Sequence, residues 1–392
     1  MPNCLNLSKV HLWLPNIFEF KGGIQVYLKN LIQVLEFDKY TQKIKVFDKL
    51  DRAKPSNLFN SEKFSFLFSG NIPRLLQTPH FALNLAIGSW LNRPSLILCG
   101  HLNFAPLAYW INRLTGIPYW LIIYGVEALD IDDKWKIKAL HAAAEIISIS
   151  VYTRERLIEE QNLPLDKITI LPVTFDAKKF KIAPKPNYLL RRYNLKNEQP
   201  VILTVSRLST ADGYKGYDTI LQALPAIQSQ LPNVHYIIVG KGDDRPRIEK
   251  LIAQLNLQDC VTLSGFIPDE EICDHYNLCD VFAMPSKGEG FGIVYLEALA
   301  CGKPTLGGNQ DGAIDALNHG ELGALVDPDD VNAIANTLIQ ILQGNYPNPL
   351  MYQPEALRQK VIELFGFERF QKTLGAYLEQ HFLSTQSQGT DY

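Results

Sequence analysis

The feature that most constrains this chain is an alternation that runs twice. Short apolar runs of strand length are separated by segments whose apolar residues recur at helical spacing. PSLILCG, PYWLIIYG, AEIISIS and KITILPV are the strand candidates of the first half, and PVILTVS, VHYIIVG, VTLSGF and DVFAMPS those of the second. In GYDTILQALPAIQSQL and RPRIEKLIAQLNL the apolar residues fall three and four apart, the period of an amphipathic helix. Strands apolar on both faces need helices on both faces, which strand–helix–strand crossovers supply. A Pro- and Lys-rich, weakly periodic stretch, KKFKIAPKPNYLLRRYNLKNEQP, separates the two halves. The prediction is an α/β chain with two doubly wound parallel-sheet domains. A length of 392 residues accommodates both at roughly 100–200 residues each. The expected boundaries are 1–185 and 186–365. A closing amphipathic helix over 366–383 is expected to pack back on the first domain, with a disordered tail over 384–392.

Several classes are set aside on composition. No apolar run reaches the ~18 residues of a membrane span; PYWLIIYGVEAL is broken by Gly125 and Glu127. MPNCLNLSKVHLWLPNIF lacks the basic start and small-residue cleavage site of a secretory leader. The six cysteines form no CxxC pair and no zinc spacing, so free thiols in a reducing, cytoplasmic compartment are expected. Charge is uneven. Residues 1–185 carry 23 Lys and Arg against 16 Asp and Glu, and the remainder 15 against 25. A basic first half fits attraction to an anionic surface or substrate, and scattered surface charge is the plain alternative. Nucleic acid is not an expected partner.

The chemistry concentrates in SKGEGFGIVYLEALACGKPTLGG, Ser286 to Gly308. It reads as a strand end, a glycine-rich turn carrying Glu289, and a helix carrying Glu297 among apolar neighbours. Such a turn presents backbone N–H groups and the positive end of a helix dipole, which together cradle a phosphate. A carboxylate inside an apolar run needs partners. A pair of ribose hydroxyls would satisfy Glu297, and so would solvent or a basic side chain. Glu289 either reaches a group beyond the phosphates or is simply solvated. Cations must separate these carboxylates from a phosphate. VSRLSTADGYKGYDTI supplies Arg207 after a strand and Lys215 before a helix, where a doubly wound sheet places its ligands. Together they can clamp a diphosphate; singly, each can be a surface charge.

At this point the residues resemble a known family. The E-x7-E spacing of Glu289 and Glu297 within GEGFGIVYLEALACGKPTLGG is similar to the signature block of the retaining glycosyltransferases of family 4. VSRL with KGYD, the N-terminal FKGGIQVYLKNLIQVL, LPVTFDAKKF and GELGALVDPDD resemble further blocks of that family, in its order and over nearly the whole length. The resemblance implies the GT-B fold, two Rossmann-like domains facing across a cleft, with the acceptor on the first and a nucleotide-diphosphate sugar on the second. It implies that Arg207 and Lys215 hold the diphosphate with help from the Gly292 and Ile293 amides, Glu297 the ribose and Glu289 the transferred sugar, with Phe291 also on the donor side and Gly22 and Gly23 closing over the phosphates. It implies a metal-independent, retaining hexosyltransferase without a cofactor, using a UDP- or GDP-sugar. A cell-envelope polysaccharide, exopolysaccharide or glycolipid pathway would follow. The acceptor would be a glycan, a lipid-linked saccharide or a small molecule. Base contacts are expected from backbone near Gly240–Gly242 and Gly265–Ile267.

The sequence departs from the family at two points. Tyr124-Gly125-Val126-Glu127 stands where His-Gly-x-Glu is common, and Thr174-Phe175 where Asn-Gly is usual. Tyr124 hydrogen-bonds but carries no charge near neutral pH. Tyr124 and Glu127 are therefore acceptor-side candidates, and His101 in CGHLNFAPLAYW is either a substitute for the missing His or structural. Asp130–Asp132 and Asp327–Asp329 match D-x-D, a short metal motif out of its expected context. Two other functions fit the architecture: a nucleotide-sugar 2-epimerase and a non-catalytic sugar-nucleotide-binding subunit. Finally, the apolar-rich helix NIPRLLQTPHFALNLAIGSWL either packs on the first sheet or lies at an anionic membrane, on the inner face of the cytoplasmic membrane.

Overall fold

The computed structural model describes residues 8–20, 22–59, 61–125, 127 and 131–387. These divide into two compact units, one running to Val173 and resuming at Glu368, the other Thr174–Phe367.

The first unit runs β1 (Ser8–Leu14), α1 (Gly23–Phe37), β2 (Thr41–Asp48), β3 (Phe64–Phe68), α2 (Arg74–Asn92), β4 (Leu96–Cys99), α3 (Ala105–Thr115), β5 (Tyr119–Ile123), α4 (Lys134–Ala142), β6 (Glu145–Ser148), α5 (Val151–Gln161) and β7 (Ile168–Ile170). Its described strands form one seven-stranded parallel sheet in the order β3-β2-β1-β4-β5-β6-β7. The order reverses between β1 and β4, and the central strands Leu96–Cys99 and Tyr119–Ile123 are buried along their whole length, as covered parallel strands require.

The second unit runs α6 (Asn187–Arg192), β8 (Val201–Val205), α7 (Tyr217–Gln230), β9 (His235–Val239), α8 (Arg245–Gln254), β10 (Val261–Gly265), α9 (Ile272–Leu278), β11 (Val281–Met284), α10 (Ile293–Ala300), β12 (Thr305–Gly308), α11 (Ala313–Ala316), β13 (Ala324–Val326), α12 (Val331–Leu342) and α13 (Pro354–Phe365). Its parallel sheet has the order β10-β9-β8-β11-β12-β13, with its switch between β8 and β11. Ligand crevices open beyond the carboxyl ends of strands at such a switch.

Several expectations shift. Each strand expected from an apolar run contains a strand of the fold, but β1, β2, β3, β12 and β13 were not singled out. TQKIKVFD alternates with charges, and TLGG carries two glycines at its end, so neither has the unbroken apolar run of a central strand. The second unit begins at Thr174, ahead of the expected boundary at 185/186. The reason is polar. Ala183 donates its N–H to Asn277 Oδ1 at 2.9 Å, Lys185 pairs with Asp280 at 2.6 Å, and Arg358 donates to the Ala177 carbonyl at 2.6 Å. These bonds hold the Pro- and Lys-rich stretch to the second unit. The last helix, α14 (Phe367–Ser387), runs past the expected end at 383, so residues 384–387 are helical rather than tail, and 388–392 lie outside the described residues. From Glu368 onward α14 belongs to the first unit, where Tyr377 donates to the Ile170 carbonyl at 2.8 Å and Phe370 meets the Tyr27 ring edge-on at 5.4 Å. Cys99, Cys260, Cys273, Cys279 and Cys301 are free thiols, with the Cys273 and Cys301 sulfurs 3.8 Å apart; Cys4 is outside the described residues.

Candidate functional site

The acidic turn of the sequence lies at the switch of the second sheet. β11 ends at Met284, the glycine-rich loop follows, and α10 starts at Ile293. Gly292 has φ 89° and ψ 81°, the left-handed region, and a Cβ there would meet the Tyr295 ring at 2.5 Å. Glycine is required on both counts. No side chain caps α10; the Tyr295 N–H bonds back to the Gly292 carbonyl at 3.1 Å, and the N–H groups of Ile293 and Val294 at the helix start have no intrahelical acceptor.

A second loop approaches from β8. Arg207 follows the strand, and a short turn over Thr210–Lys215 delivers Lys215 and Gly216. Gly216, at φ 79°, brings the chain so close that a Cβ would lie 2.2 Å from the Pro285 carbonyl oxygen. Lys287 donates its N–H to the Tyr214 carbonyl at 3.0 Å. The two loops are thereby joined, and the ammonium of Lys215 pairs with the carboxylate of Glu289. Both side chains are largely covered, at 13% and 14% exposure. Burial works against the Lys215 charge, but the adjoining Glu289 carboxylate more than offsets it and leaves the ammonium pKa raised. The ammonium also lies 4.9 Å from the Tyr214 ring centroid. Arg207 sits further out, 63% exposed, with its guanidinium 3.1 Å from the buried carboxylate of Asp212.

Asp311 holds the acidic loop. It is fully buried beyond β12. Its Oδ2 accepts from the Glu289 N–H at 2.7 Å and the Ser286 hydroxyl at 2.7 Å, and its Oδ1 from the Ala313 N–H at 2.9 Å. Burial pushes its pKa up to about 6, against the lowering effect of those donors. Sequence reading missed this residue. The available signal was an Asp-Gly placed just past a strand ending in Gly-Gly, which is loop chemistry at the same edge of the sheet.

Glu297 has a partner of its own. Its Oε2 accepts from the Tyr276 hydroxyl at 2.7 Å, a partner the sequence did not point to. Burial pushes the Glu297 pKa up to about 7, with the Tyr276 hydroxyl and Lys179 working the other way. The folded state therefore holds the proton more tightly than the unfolded chain. The stability tied to that proton is complete below the ordinary value near 4.5 and is lost as the pH rises through about 7. Glu297→Gln is expected to flatten the fall of stability between those limits, measured as urea midpoints against pH. A slope identical to that of the parent would rule this out.

In the first unit, His101 caps the turn that opens α3, its Nδ1 accepting from the Asn103 N–H at 3.1 Å. Burial, with Lys136 and Lys49, lowers its pKa and favours the neutral ring. The Tyr124 hydroxyl donates to the Gly100 carbonyl at 3.2 Å, and its N–H donates to Glu127 Oε1 at 2.5 Å. Burial raises the Glu127 pKa. These three candidates thus gather at the ends of β4 and β5 with their polar atoms engaged locally. Gly22 and Gly23 head α1, and a Cβ at Gly23 would meet nothing within 4 Å. A cavity of about 610 Å³ lies beyond β2 and β3, lined by Arg52, Asn71, Arg74 and Gln77 among others. Phe291 is buried against Phe365, ring centroids 5.5 Å apart.

Of the D-x-D matches, Asp130 lies outside the described residues. Asp327 accepts from the Asp329 N–H and from Gln310, and Asp329 pairs with Lys287. Among the described residues no group of three His, Cys, Asp or Glu has metal-site geometry.

Solved structures share this architecture over almost the full chain. The Anabaena protein Alr3699/HepE in complex with UDP aligns with a TM-score of 0.75 at 17% identity, covering 95% of this chain and 100% of that one. Sucrose-phosphate synthase from Thermosynechococcus elongatus aligns at 0.78 and 22%, covering 96% and 100%. The fold is GT-B. Within this GT-B chain, residues 189–360 match the family model described as glycosyl transferases group 1. That stretch contains Arg207, Lys215, Glu289, Glu297 and Asp311. The GDP-mannose-dependent alpha-(1-6)-phosphatidylinositol monomannoside mannosyltransferase of Mycobacterium tuberculosis is 33% identical over 201 residues, 50% of this chain and 51% of its own. The D-inositol 3-phosphate glycosyltransferase of Thermobispora bispora is 29% identical over 214 residues, 52% and 49%. The GT-B chain spans about half the length of the curated relatives it matches.

Proposed function

We propose that this chain is a metal-independent, retaining glycosyltransferase of family 4 that moves a hexose from a nucleotide-diphosphate sugar to an acceptor hydroxyl. The observation that carries the reading is the covered Lys215–Glu289 pair, held at a helix N-terminus by the buried Asp311. An ammonium and a carboxylate held side by side are complementary to a ligand with an anion next to hydroxyls. The diphosphate would take the ammonium, and the sugar hydroxyls would donate to the carboxylate. A UDP- or GDP-sugar has that order of groups, and no bound cofactor is called for.

The chemistry follows from the charges. The acceptor oxygen bonds to the anomeric carbon while the bond from that carbon to the diphosphate oxygen breaks. The electron pair leaves with the diphosphate, and the acceptor proton passes to a departing phosphate oxygen. Lys215, Arg207 and the first-turn amides of α10 stabilise the charge that develops there. Glu289 positions the sugar and forms no covalent bond. Glu297, about one turn into α10, would accept from ribose hydroxyls in exchange for the Tyr276 hydroxyl. The relatives that transfer mannose or glycosylate an inositol phosphate support a polyol or glycan acceptor. A role in cell-envelope glycan or glycolipid synthesis, on the inner side of the cytoplasmic membrane, fits the same reading. No helix among the described residues is long and apolar enough to cross a membrane.

The test is slow donor hydrolysis without acceptor, across UDP-, GDP- and ADP-sugars, with and without EDTA. One nucleotide diphosphate should be released at equal rates in both conditions, and Glu289→Ala should lower that release by at least ~10²-fold. Sugar inversion at C2 without release would instead identify an epimerase. Tight binding with neither reaction would identify a non-catalytic subunit.

A further inference from the structure

One layer of the first unit is uncovered in a way water does not explain. α2 packs beside α3, and α3 beside α4. α2 buries Phe81, Leu85 and Gly88, yet its outer stripe is also apolar: Leu76, Leu83, Ile87, Trp90 and Leu91, with Leu83 and Trp90 each 59% exposed and Leu91 74%. A helix apolar on both its inner and its outer stripe is normally covered on both. The outer faces of α3 and α4 continue the patch with Trp110, Leu114 and Trp135. The Trp110 and Trp135 rings lie 5.2 Å apart, and the Lys138 ammonium is 4.5 Å from the Trp135 centroid. Nine of the sixteen exposed large apolar side chains among the described residues fall on these three helices. Their charges are of one sign: Arg74, Arg113, Lys134, Lys136 and Lys138, with no Asp or Glu in any of the three helices. Asp133, just ahead of α4, is engaged as its N-cap.

We propose that α2, α3 and α4 form a docking surface for an anionic lipid bilayer. Tryptophan and leucine enter the interfacial region while lysine and arginine meet the headgroup charge. A second copy of this chain is a poorer occupant, because the patch would meet its own positive charge. The proposal rests on the acceptor side of the function above: a transferase docked in this way reaches an acceptor carried on a lipid.

The experiment uses the full chain with vesicles of phosphatidylcholine alone and vesicles that also contain phosphatidylglycerol, read by sedimentation. The protein should pellet with the second kind and not the first. Lys134→Glu with Lys138→Glu should weaken that partition at least ~25-fold, since each cation near an anionic surface is worth roughly fivefold. Trp90→Ser with Leu91→Ser should weaken it at least ~10-fold. All four side chains are exposed, so both variants should melt like the parent and hydrolyse donor unchanged in the absence of vesicles. Equal partition into both vesicles, no partition, or partition unaffected by either variant overturns the docking surface. So does self-association that Trp90→Ser with Leu91→Ser abolishes while vesicles go unbound. Docking with no activity on any donor would instead overturn the transferase reading and leave the surface standing.

Discussion

Lys215→Ala is expected to slow sugar transfer by at least ~10²-fold in single turnover, the usual cost of losing one donor aimed at developing charge. Two effects add. The departing diphosphate loses the ammonium that stabilises its oxygens. Glu289, largely covered, also loses its ion-pair partner, and an unpaired covered carboxylate repels the incoming diphosphate. Donor binding should weaken less than the chemical rate, because charge on the phosphates grows as the bond breaks. Lys215→Arg keeps the charge but not the compact ammonium, and should restore only part of the rate. An unchanged single-turnover rate in Lys215→Ala would remove this residue from the chemistry.

The second large effect is expected at Asp311, which touches no substrate in the proposed reaction. Asp311→Ala leaves the N–H groups of Glu289 and Ala313 without their acceptor and frees the Ser286 end of the loop. Buried donors left unmatched cost roughly 1–3 kcal/mol each. Part of that is recovered because a carboxylate is no longer ionised in a dry site. A net loss of about 2 kcal/mol should show as a lower melting temperature and as roughly 30-fold weaker nucleotide-diphosphate binding. Asp311→Asn keeps the volume but sets an amide N–H against one of the donors, so it should fall between Ala and the parent. Calorimetry with the nucleotide diphosphate named by the donor panel separates the outcomes. Unchanged affinity in both variants would show that the acidic loop keeps its shape without Asp311.

The candidate site was partly legible in the chain itself. Local chemistry marks Glu289, Gly292, Lys215 and Gly216, because glycine-rich turns between a strand and a helix signal a close backbone approach. What the sequence could not supply was partnership. Glu297 read as a carboxylate in need of ribose, solvent or a cation, and the fold answers it with Tyr276, twenty-one residues earlier on α9. Tyr124 read as a replacement for an acceptor-side histidine, yet its hydroxyl is engaged by the Gly100 carbonyl. The helix over residues 71–91 read as either packed or membrane-facing, and it is apolar on both faces.

The same division holds for the fold. Apolar runs of four to five residues determined the central strands β4, β5, β8, β9 and β11, because a strand covered on both faces must be apolar at every position. Strands toward the margins of a sheet escape that rule, so β2 with its lysines, one place in from the edge, and the edge strand β13 with three residues appear only once the sheet is assembled. The unit boundary at Thr174 was likewise a tertiary decision. Lys185, Ala183 and the Ala177 carbonyl are polar groups in a stretch without periodicity, and they join whichever unit offers Asp280, Asn277 and Arg358. Periodicity and glycine chemistry act over a few residues and are written in the chain. The partners of a half-buried charge lie up to 181 residues away, and only the folded structure chooses them.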